Sequence, residues 1–184
     1  VLVRPMPDGS YQMVSGHRRK RAAELAEQPT LSCIVRELTD DEAIIILVDS
    51  NLQREKVLPS EKAFAYRMKL DAMKRQGQRT DLTSSPLDNK LKGITAAQQI
   101  SKDSGDSQPQ IYRYIRLTYL IPPLLDLVDE NKIALRPAVE LSYLSETEQS
   151  ALQEAIASED CTPSHAQAIK MRKFAEEGKL TADV

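Results

Sequence analysis

Tryptophan is absent from this 184-residue chain, phenylalanine occurs twice, and aromatic residues make up 4% of it. A core built from it must be aliphatic, drawn from Leu, Ile, Val and Ala. The only two cysteines, Cys33 and Cys161, are far apart and lack any partner spacing for a metal. They read most simply as buried thiols of a reducing compartment. No apolar stretch approaches the ~20 residues that a membrane span needs, and no signal peptide is visible. A cytoplasmic protein without a membrane partner is therefore expected. Internal repeats and low-complexity tracts are missing too. The chain opens on Val1-Leu2-Val3, without Met and inside what reads as a strand, so its N-terminal part is expected to have been trimmed.

A formal net charge of -2 lacks the basic excess of a nucleic-acid binder, but the charge is unevenly spread. Residues 1–50 carry 6 basic and 8 acidic side chains, residues 51–92 carry 10 and 5, residues 93–117 carry 3 and 2, and residues 118–184 carry 6 and 12. The basic excess falls in the middle, where phosphate contacts would be wanted. A solvated helical face is the plainer alternative. The acidic last third is expected to face away from a polyanion.

Residues 1–5 and 10–14 alternate as short strands around Pro7-Asp8-Gly9, a strong hairpin turn. From His17 to about Glu27 the residues favour a helix whose apolar face would be Ala22, Ala23, Leu25 and Ala26. Leu31 to Leu38 alternates and is β-branched, which predicts a third strand. Thr39 and Glu42 are spaced as a capping box ahead of an apolar helix, Ala43 to about Asp49. A long helix is predicted from Pro59 to about Gln76, with Phe64, Met68 and Met73 as its buried stripe. Residues 77–93, rich in Gly, Pro, Ser, Thr, Asp and Asn, read as a mobile connector. From Thr95 onward the chain reads as helical, with breaks at Gly105, Pro122-Pro123, near Asn131, near Ser145, and at Thr162-Pro163.

Two stretches carry chemistry. In Tyr11-Gln12-Met13-Val14-Ser15-Gly16-His17-Arg18-Arg19 a strand turns tightly into a helix. Glycine at such a turn lets backbone N–H groups approach an anion, the helix N-terminus adds partial positive charge, and Arg18, Arg19 and Arg21 can neutralise phosphate oxygens. Alone, a strand-glycine-helix junction with arginines is common. The second stretch, from Thr95 to Leu117, has a helix-turn-helix pattern. Ala97 and Ile100 would pack inward, Gly105 would make the turn, and Ser107-Gln108-Pro109-Gln110 would start a second helix anchored by Ile111, Ile115 and Leu117. That leaves Gln108, Gln110, Tyr112, Arg113 and Tyr114 for a groove and its phosphates, where Gln suits adenine and Arg suits guanine. An ordinary helical hairpin would show much of the same pattern.

Taken with Ser50-Asn51-Leu52-Gln53-Arg54-Glu55, the first stretch resembles the ParB/Spo0J/Noc family of partition proteins. Members of that family pair a Gly-Glu-Arg-Arg segment with Glu-Asn-x-Gln-Arg, and together these bind CTP and Mg²⁺. The flanks match as well, in Gly9-x-Tyr11, Arg19-x-Arg21-Ala22-Ala23 and Leu58-Pro59-x-Glu61-x-Ala63. In the second half Ser107, Arg116-Leu117 and Leu120-Ile121-Pro122 fit the family's DNA reader, while Gln108 replaces its common Arg and leaves the target sequence open. The resemblance covers nearly the whole chain, short of the family's N-terminal piece, which engages a ParA-type ATPase, and its C-terminal dimer domain.

The resemblance implies an α+β chain. Residues 1–58 would be a small ParB/sulfiredoxin-like α/β nucleotide-binding unit, 59–93 a helix and connector, and 94–184 an all-helical helix-turn-helix unit. It implies nucleotide contacts from Ser15, Gly16, His17, Arg18, Arg19, Asn51, Gln53 and Arg54, with Asn51 also a metal ligand. Thr95, Gln98, Ser107, Gln108, Gln110, Tyr112 and Arg113 would contact DNA. The expected partners are double-stranded DNA with a centromere-like palindromic site and a second copy of the chain in a homodimer, with a ParA-type ATPase as a further candidate. The expected location is the nucleoid. Two departures matter: His17 and Ser50 stand where many members have Glu. Donors for an anion remain, but a carboxylate to place metal or water does not, so nucleotide binding is expected and efficient hydrolysis is not. A ParB-fold transcriptional regulator without nucleotide control is one alternative. A ParB-like nuclease or small-molecule kinase is another, and sulfiredoxin chemistry is disfavoured because the turn Ser15-Gly16-His17-Arg18 has no Cys.

Overall fold

The structure, a computed structural model, describes residues 1–80 and 95–180, with side chains given outside 78–80. The predicted connector therefore lies outside the described residues except for 77–80, as do the basic residues just before Gly93. The elements in order are β1 (Leu2–Pro5), β2 (Tyr11–Ser15), α1 (His17–Leu25), β3 (Ile34–Val35), α2 (Asp40–Leu52), α3 (Pro59–Thr80), α4 (Ala96–Ser104), α5 (Gln108–Leu117), α6 (Pro122–Asp129), α7 (Leu135–Leu141), α8 (Glu146–Glu159) and α9 (His165–Glu176). The described residues fall into two compact units, one drawn from 1–55 and 68–96, the other from 56–67 and 97–184. The helix α3 is continuous, and its two halves belong to different units.

The first unit is a three-stranded sheet of order β2-β1-β3, with β1 antiparallel to β2 and parallel to β3. The hairpin closes as its turn chemistry dictates: Gly9 adopts φ +81°, its N–H donates to the Met6 carbonyl (3.0 Å), and the Asp8 carboxylate accepts from the Ser10 amide (2.9 Å). The third strand is much shorter than predicted from Leu31 to Leu38. Only Ile34 and Val35 pair with β1, and both stay exposed. The ladder has little to extend along, because β1 ends at Pro5, which has no N–H to donate. Arg4, itself buried, ties the sheet to the next segment by donating to Gln12 Oε1 (2.7 Å) and the Leu38 carbonyl (3.2 Å) while pairing with Asp40 (2.6 Å).

Thr39 and Glu42 form the predicted capping box, and α2 runs past the expected end at Asp49, so Asn51 and Leu52 are helical. This helix packs on β2. Val3, Val14, Ala43, Val48, Leu70 and Ala72 supply the unit's buried apolar residues. Two ion pairs join α2 to the second half of α3: Asp41 to Arg75 at 2.8 Å and Asp49 to Lys69 at 2.6 Å. The Lys69 side chain is only 2% exposed. An ammonium removed from water this fully needs compensation, and Asp49 supplies a carboxylate for it.

Four expectations fail here. The face Ala22, Ala23, Leu25 and Ala26 is not buried; Leu25 is 70% exposed and α1 has no buried residue. Neither Cys33 nor Cys161 is a buried thiol, since both are exposed. On α3, Phe64 and Met68 are exposed and Met73 is half-buried, whereas Ala63, Tyr66, Lys69, Leu70 and Ala72 are buried. The helix also continues through Gly77 to Thr80 instead of stopping at Gln76.

The second unit is all helical. Its core gathers Leu117, Leu120, Leu124, Leu125, Val128, Ile133, Ala138, Leu141, Leu144 and Ala168 with Ala63 of α3. The breaks fall where the residues demand them. Prolines open α6, Asn131 takes φ +59° after it, Ser145 with Glu148 caps α8, and Ser164 with Gln167 caps α9. Buried Gln149 donates to the Tyr119 and Leu144 carbonyls (3.1 and 3.0 Å) and accepts from the Ile121 amide (2.8 Å). Its amide thereby satisfies backbone groups between helices.

Candidate phosphate-binding turn and nucleic-acid interface

Gly16 is the N-cap of α1 at φ +107° and ψ 20°, a backbone state that side chains resist. A Cβ placed there would lie 2.6 Å from Val1 Cγ1 and 2.9 Å from Val1 Cβ. Glycine is thus required twice, by torsion and by the close passage of Val1, just before β1. No side chain caps α1, and no acid stands in its first turn, so its leading N–H groups and partial positive charge are left for an external anion.

Ser15, at the end of β2, and Gly16 are half-buried; His17, Arg18 and Arg19 are exposed. Among the described residues, the side chains of Arg18, Arg19 and Arg54 have no carboxylate or hydrogen-bonding partner, whereas Lys20 and Arg21 of α1 both pair with Glu24. Those neighbours hold the Glu24 carboxyl below its usual range, Lys20 most strongly.

The second segment closes α2. Asn51 is half-buried, Gln53 is the C-cap with its amide on the Asp49 carbonyl (3.3 Å), and the Arg54 amide reaches the Asn51 carbonyl (3.3 Å). Because α2 packs on β2, both segments sit on elements that touch, although no hydrogen bond or ion pair joins the described residues of one to the other. The Ser50 hydroxyl donates to the Leu47 carbonyl (2.9 Å), and Asp49 is committed to Lys69. Asn51 keeps an oxygen donor in this segment, and the described residues hold no group of three or more His, Cys, Asp or Glu that could bind a metal.

In the second unit α4 and α5 form the helix-turn-helix. Ala97, Ile100, Ile111 and Leu117 are buried as expected, Ile115 is half-buried, and Gly105 turns the chain at φ +77°. Ser107 is the N-cap of α5 but makes no side-chain cap bond. Tyr112 and Arg113 project to solvent, Gln108 and Gln110 are half-buried, and Gln110 Oε1 accepts from Arg113 (3.3 Å). Thr95 is exposed just before α4, and Gln98 is half-buried on it.

Tyr114 departs from expectation. It is half-buried against the core rather than free for a groove, with the Lys62 ammonium 5.1 Å from its ring centre and the Tyr66 ring 6.0 Å away.

Sequence reasoning also missed what holds α5. Tyr66 donates to Asp106 Oδ2 (2.6 Å), and Lys62 reaches the same oxygen (3.2 Å). Burial first, and then this hydrogen bond, push the Tyr66 hydroxyl far above its ordinary pKa. At the other end Arg67 donates to Thr118 (2.8 Å), and Arg116 donates to Ser142 Oγ (3.0 Å) and to the Ser142 carbonyl (2.7 Å). Arg116 also lies 3.8 Å from the Tyr143 ring centre and 4.5 Å from that of Tyr119, with Arg172 at 3.7 Å on Tyr143. The sequence signal for this second anchor is slight: arginines and tyrosines recur from 112 to 143, without a spacing that reveals their partners.

Comparison with known proteins agrees with this arrangement. The family model of the ParB N-terminal domain matches residues 1–52, and that of the ParB HTH domain matches residues 90–175. The nucleoid occlusion protein of Listeria monocytogenes is 33% identical over 81% of this chain and 45% of its own length. A probable chromosome 1-partitioning protein ParB of Deinococcus radiodurans is 31% identical over 94% and 52%. The chromosome-partitioning protein Spo0J of Thermus thermophilus is 30% identical over 72% and 41%. The chain thus spans about half the length of the curated relatives it matches. The crystal structure of C-terminally truncated ParB from Caulobacter crescentus, complexed to the centromeric parS site, shares the fold at a TM-score of 0.54 and 23% identity, covering 96% of this chain and 81% of that one. Two family models met in order, on a matching fold and with three relatives at 30% identity or above, leave one conclusion: the chain belongs to the ParB family of chromosome-partitioning and nucleoid-occlusion proteins and carries that family's N-terminal and helix-turn-helix domains.

Proposed function

We propose that this chain is a sequence-specific DNA-binding ParB-type protein of plasmid or chromosome segregation, with a CTP site in residues 1–58 and a DNA reader in residues 94–184. Two copies would close as a CTP-dependent clamp on a centromere-like palindrome, in the cytoplasm and on the nucleoid, with a ParA-type ATPase as a further partner. The observation that carries the nucleotide half is the unpaired Arg18 and Arg19 at a turn where only glycine fits, with Arg54 likewise unpaired after α2, a helix that packs on β2. Such a turn takes a phosphate by backbone N–H donation, helix-end charge and charge-assisted guanidinium contacts. Ser15, His17 and Gln53 would line the same nucleotide. Mg²⁺ fits less completely: Asn51 would be its protein ligand, and phosphates and water would supply the other oxygens. When bound, the metal would neutralise phosphate charge.

For the DNA half, Gln108, Gln110, Tyr112 and Arg113 on α5 would meet the major groove, with Thr95, Gln98 and Ser107 at the phosphates. Hydrolysis is not supported by the side chains present, because Ser50 is bonded to its own helix and Asp49 to Lys69. That commitment of Asp49 favours weak or absent turnover, and it is compatible with the second reading, a ParB-fold regulator without nucleotide control. Equilibrium binding of radiolabelled CTP, ATP, GTP and UTP, with and without a duplex that the protein selects from a random pool, separates the two. Selective CTP binding supports the clamp. Selective DNA binding with no nucleotide bound at millimolar concentration supports the regulator.

A further inference from the structure

We infer that Asp106 is a positioning residue for the DNA-reading helix, pinned by Lys62 and Tyr66 of α3 so that the first turn of α5 meets the groove in one register; this rests on the DNA-binding reading above. The start of α5 has little to hold it locally. Gly105, at φ +77°, has nothing within 4 Å of where a Cβ would stand, so the turn is sterically open. Ser107 makes no side-chain cap bond, and Pro109 brings no N–H to the first turn. The one side chain between Gly105 and α5 that is tied to another helix is that of Asp106. It accepts from the Tyr66 hydroxyl at 2.6 Å and meets the Lys62 ammonium at 3.2 Å, and its own amide is held by Ser104 Oγ at 3.3 Å.

The grip is stiff because Tyr66 is itself 1% exposed, and the same two α3 side chains rest against Tyr114 of α5. A carboxylate at the mouth of a DNA reader would repel phosphates if left alone. Lys62 offsets that charge, which makes the acid tolerable as a pin and useless as a DNA contact. Gln108 and Gln110 follow two and four residues later, so a shift at Asp106 becomes a shift of the bases they can reach.

Two readouts on the 184-residue chain test this, one of them without DNA. In the first, amide hydrogen exchange is followed at Ile111, whose N–H donates to the Ser107 carbonyl (3.0 Å), and across α8 as reference. In the second, affinity is measured for a duplex selected by the wild-type chain and for a shuffled duplex. Asp106→Ala and Tyr66→Phe should each speed exchange at Ile111 about tenfold, as expected when a hydrogen bond to a charged group is lost, with α8 unchanged. The same variants should lower the ratio of selected to shuffled affinity about tenfold while leaving the salt dependence intact. Asp106→Asn keeps an acceptor for Tyr66 and should recover part of both effects, and the double variant Asp106→Ala/Tyr66→Phe should be no worse than either single change. Ile156→Ala in α8 is the control for general loss of stability. The inference is overturned if exchange rises equally in α5 and α8, if Asp106→Ala changes neither readout, or if the affinity ratio holds while Ile111 opens. A wild-type chain that selects no duplex would sink the DNA reading itself, and the exchange measurement would still judge the pin.

Discussion

Gly16→Ala offers the sharpest test of the phosphate-binding turn. Two separable penalties meet at that position. The first is torsional: a non-glycine residue held at φ +107° costs about 1–3 kcal/mol. The second is steric. A new Cβ would stand 2.6 Å from Val1 Cγ1 and 2.9 Å from Val1 Cβ, and crowding of that kind typically adds about 1–3 kcal/mol unless Val1 moves. Gly9→Ala is the internal comparison, since Gly9 has φ +81° but nothing within 4 Å and should show the torsional part alone. Native-state hydrogen exchange of the paired β1 and β2 amides, such as Arg4 and Gln12, reads the stability of this unit by itself. Gly16→Ala should destabilise it by roughly 2–6 kcal/mol against about 1–3 for Gly9→Ala, and Val1→Gly in the Gly16→Ala background should recover the steric part. Equal losses for the two glycines, with no recovery from Val1→Gly, would refute the close passage of Val1 and with it the steric reason the turn must be glycine.

Four other outcomes are expected. Arg18→Ala removes an unpaired guanidinium from the turn and should weaken CTP binding by about 1.5–3 kcal/mol in equilibrium titration, with little change in stability. CTP turnover should be slow or absent in the wild-type chain and should rise when His17→Glu and Ser50→Glu are combined; steady wild-type turnover matching a relative with both carboxylates would show that another acid serves. Gln108→Ala and Arg113→Ala should each lower affinity for the selected duplex by about 1–3 kcal/mol while leaving shuffled DNA nearly unaffected. Glu42 sits below its ordinary pKa of 4.5 because the Thr39 backbone and then its hydroxyl bond the carboxylate. Its contribution to stability is therefore present above about pH 4.5 and lost as pH falls through the folded-state value, so acid unfolding of wild type should be steeper there than that of Glu42→Gln.

What the sequence made legible is what local chemistry decides. Pro7-Asp8-Gly9 closes a hairpin through its own backbone and side-chain bonds, Thr39 and Glu42 cap α2 between themselves, and Gly16 marks a turn because few other residues take its torsion. The misreadings concern partners chosen by the fold. Leu31 to Leu38 has strand propensity throughout, but pairing stops where β1 meets Pro5. On α3 the apolar Phe64 and Met68 are exposed, yet Tyr66 and Lys69 are buried beside Ala63, Leu70 and Ala72, with hydrogen bonds to Asp106 and Asp49 offsetting their desolvation. Hydrophobicity alone could not select them. Asp106 is 40 residues from Tyr66 in sequence, and no periodicity links the two.

The charge balance of residues 1–50 shows why net charge misleads about a candidate site. Residues 1–50 are acidic overall, with 8 acids against 6 bases. In the structure, however, the acids are largely spent internally: Asp40 on Arg4, Asp41 on Arg75, Asp49 on Lys69, Glu24 on Lys20 and Arg21, and Glu42 on the Thr39 cap. Arg18 and Arg19 are left over at a helix start that carries no acid of its own, and Arg36 and, after α2, Arg54 also have no side-chain partner among the described residues. A field attractive to phosphate thus arises from which bases go unpaired and not from how many there are. The same bookkeeping explains the doubtful metal. Asp49, the carboxylate beside Ser50, is engaged with Lys69, an ammonium nearly sealed from water, and drawing it to a metal would break that pair. The His17→Glu and Ser50→Glu changes would supply a carboxylate without breaking it.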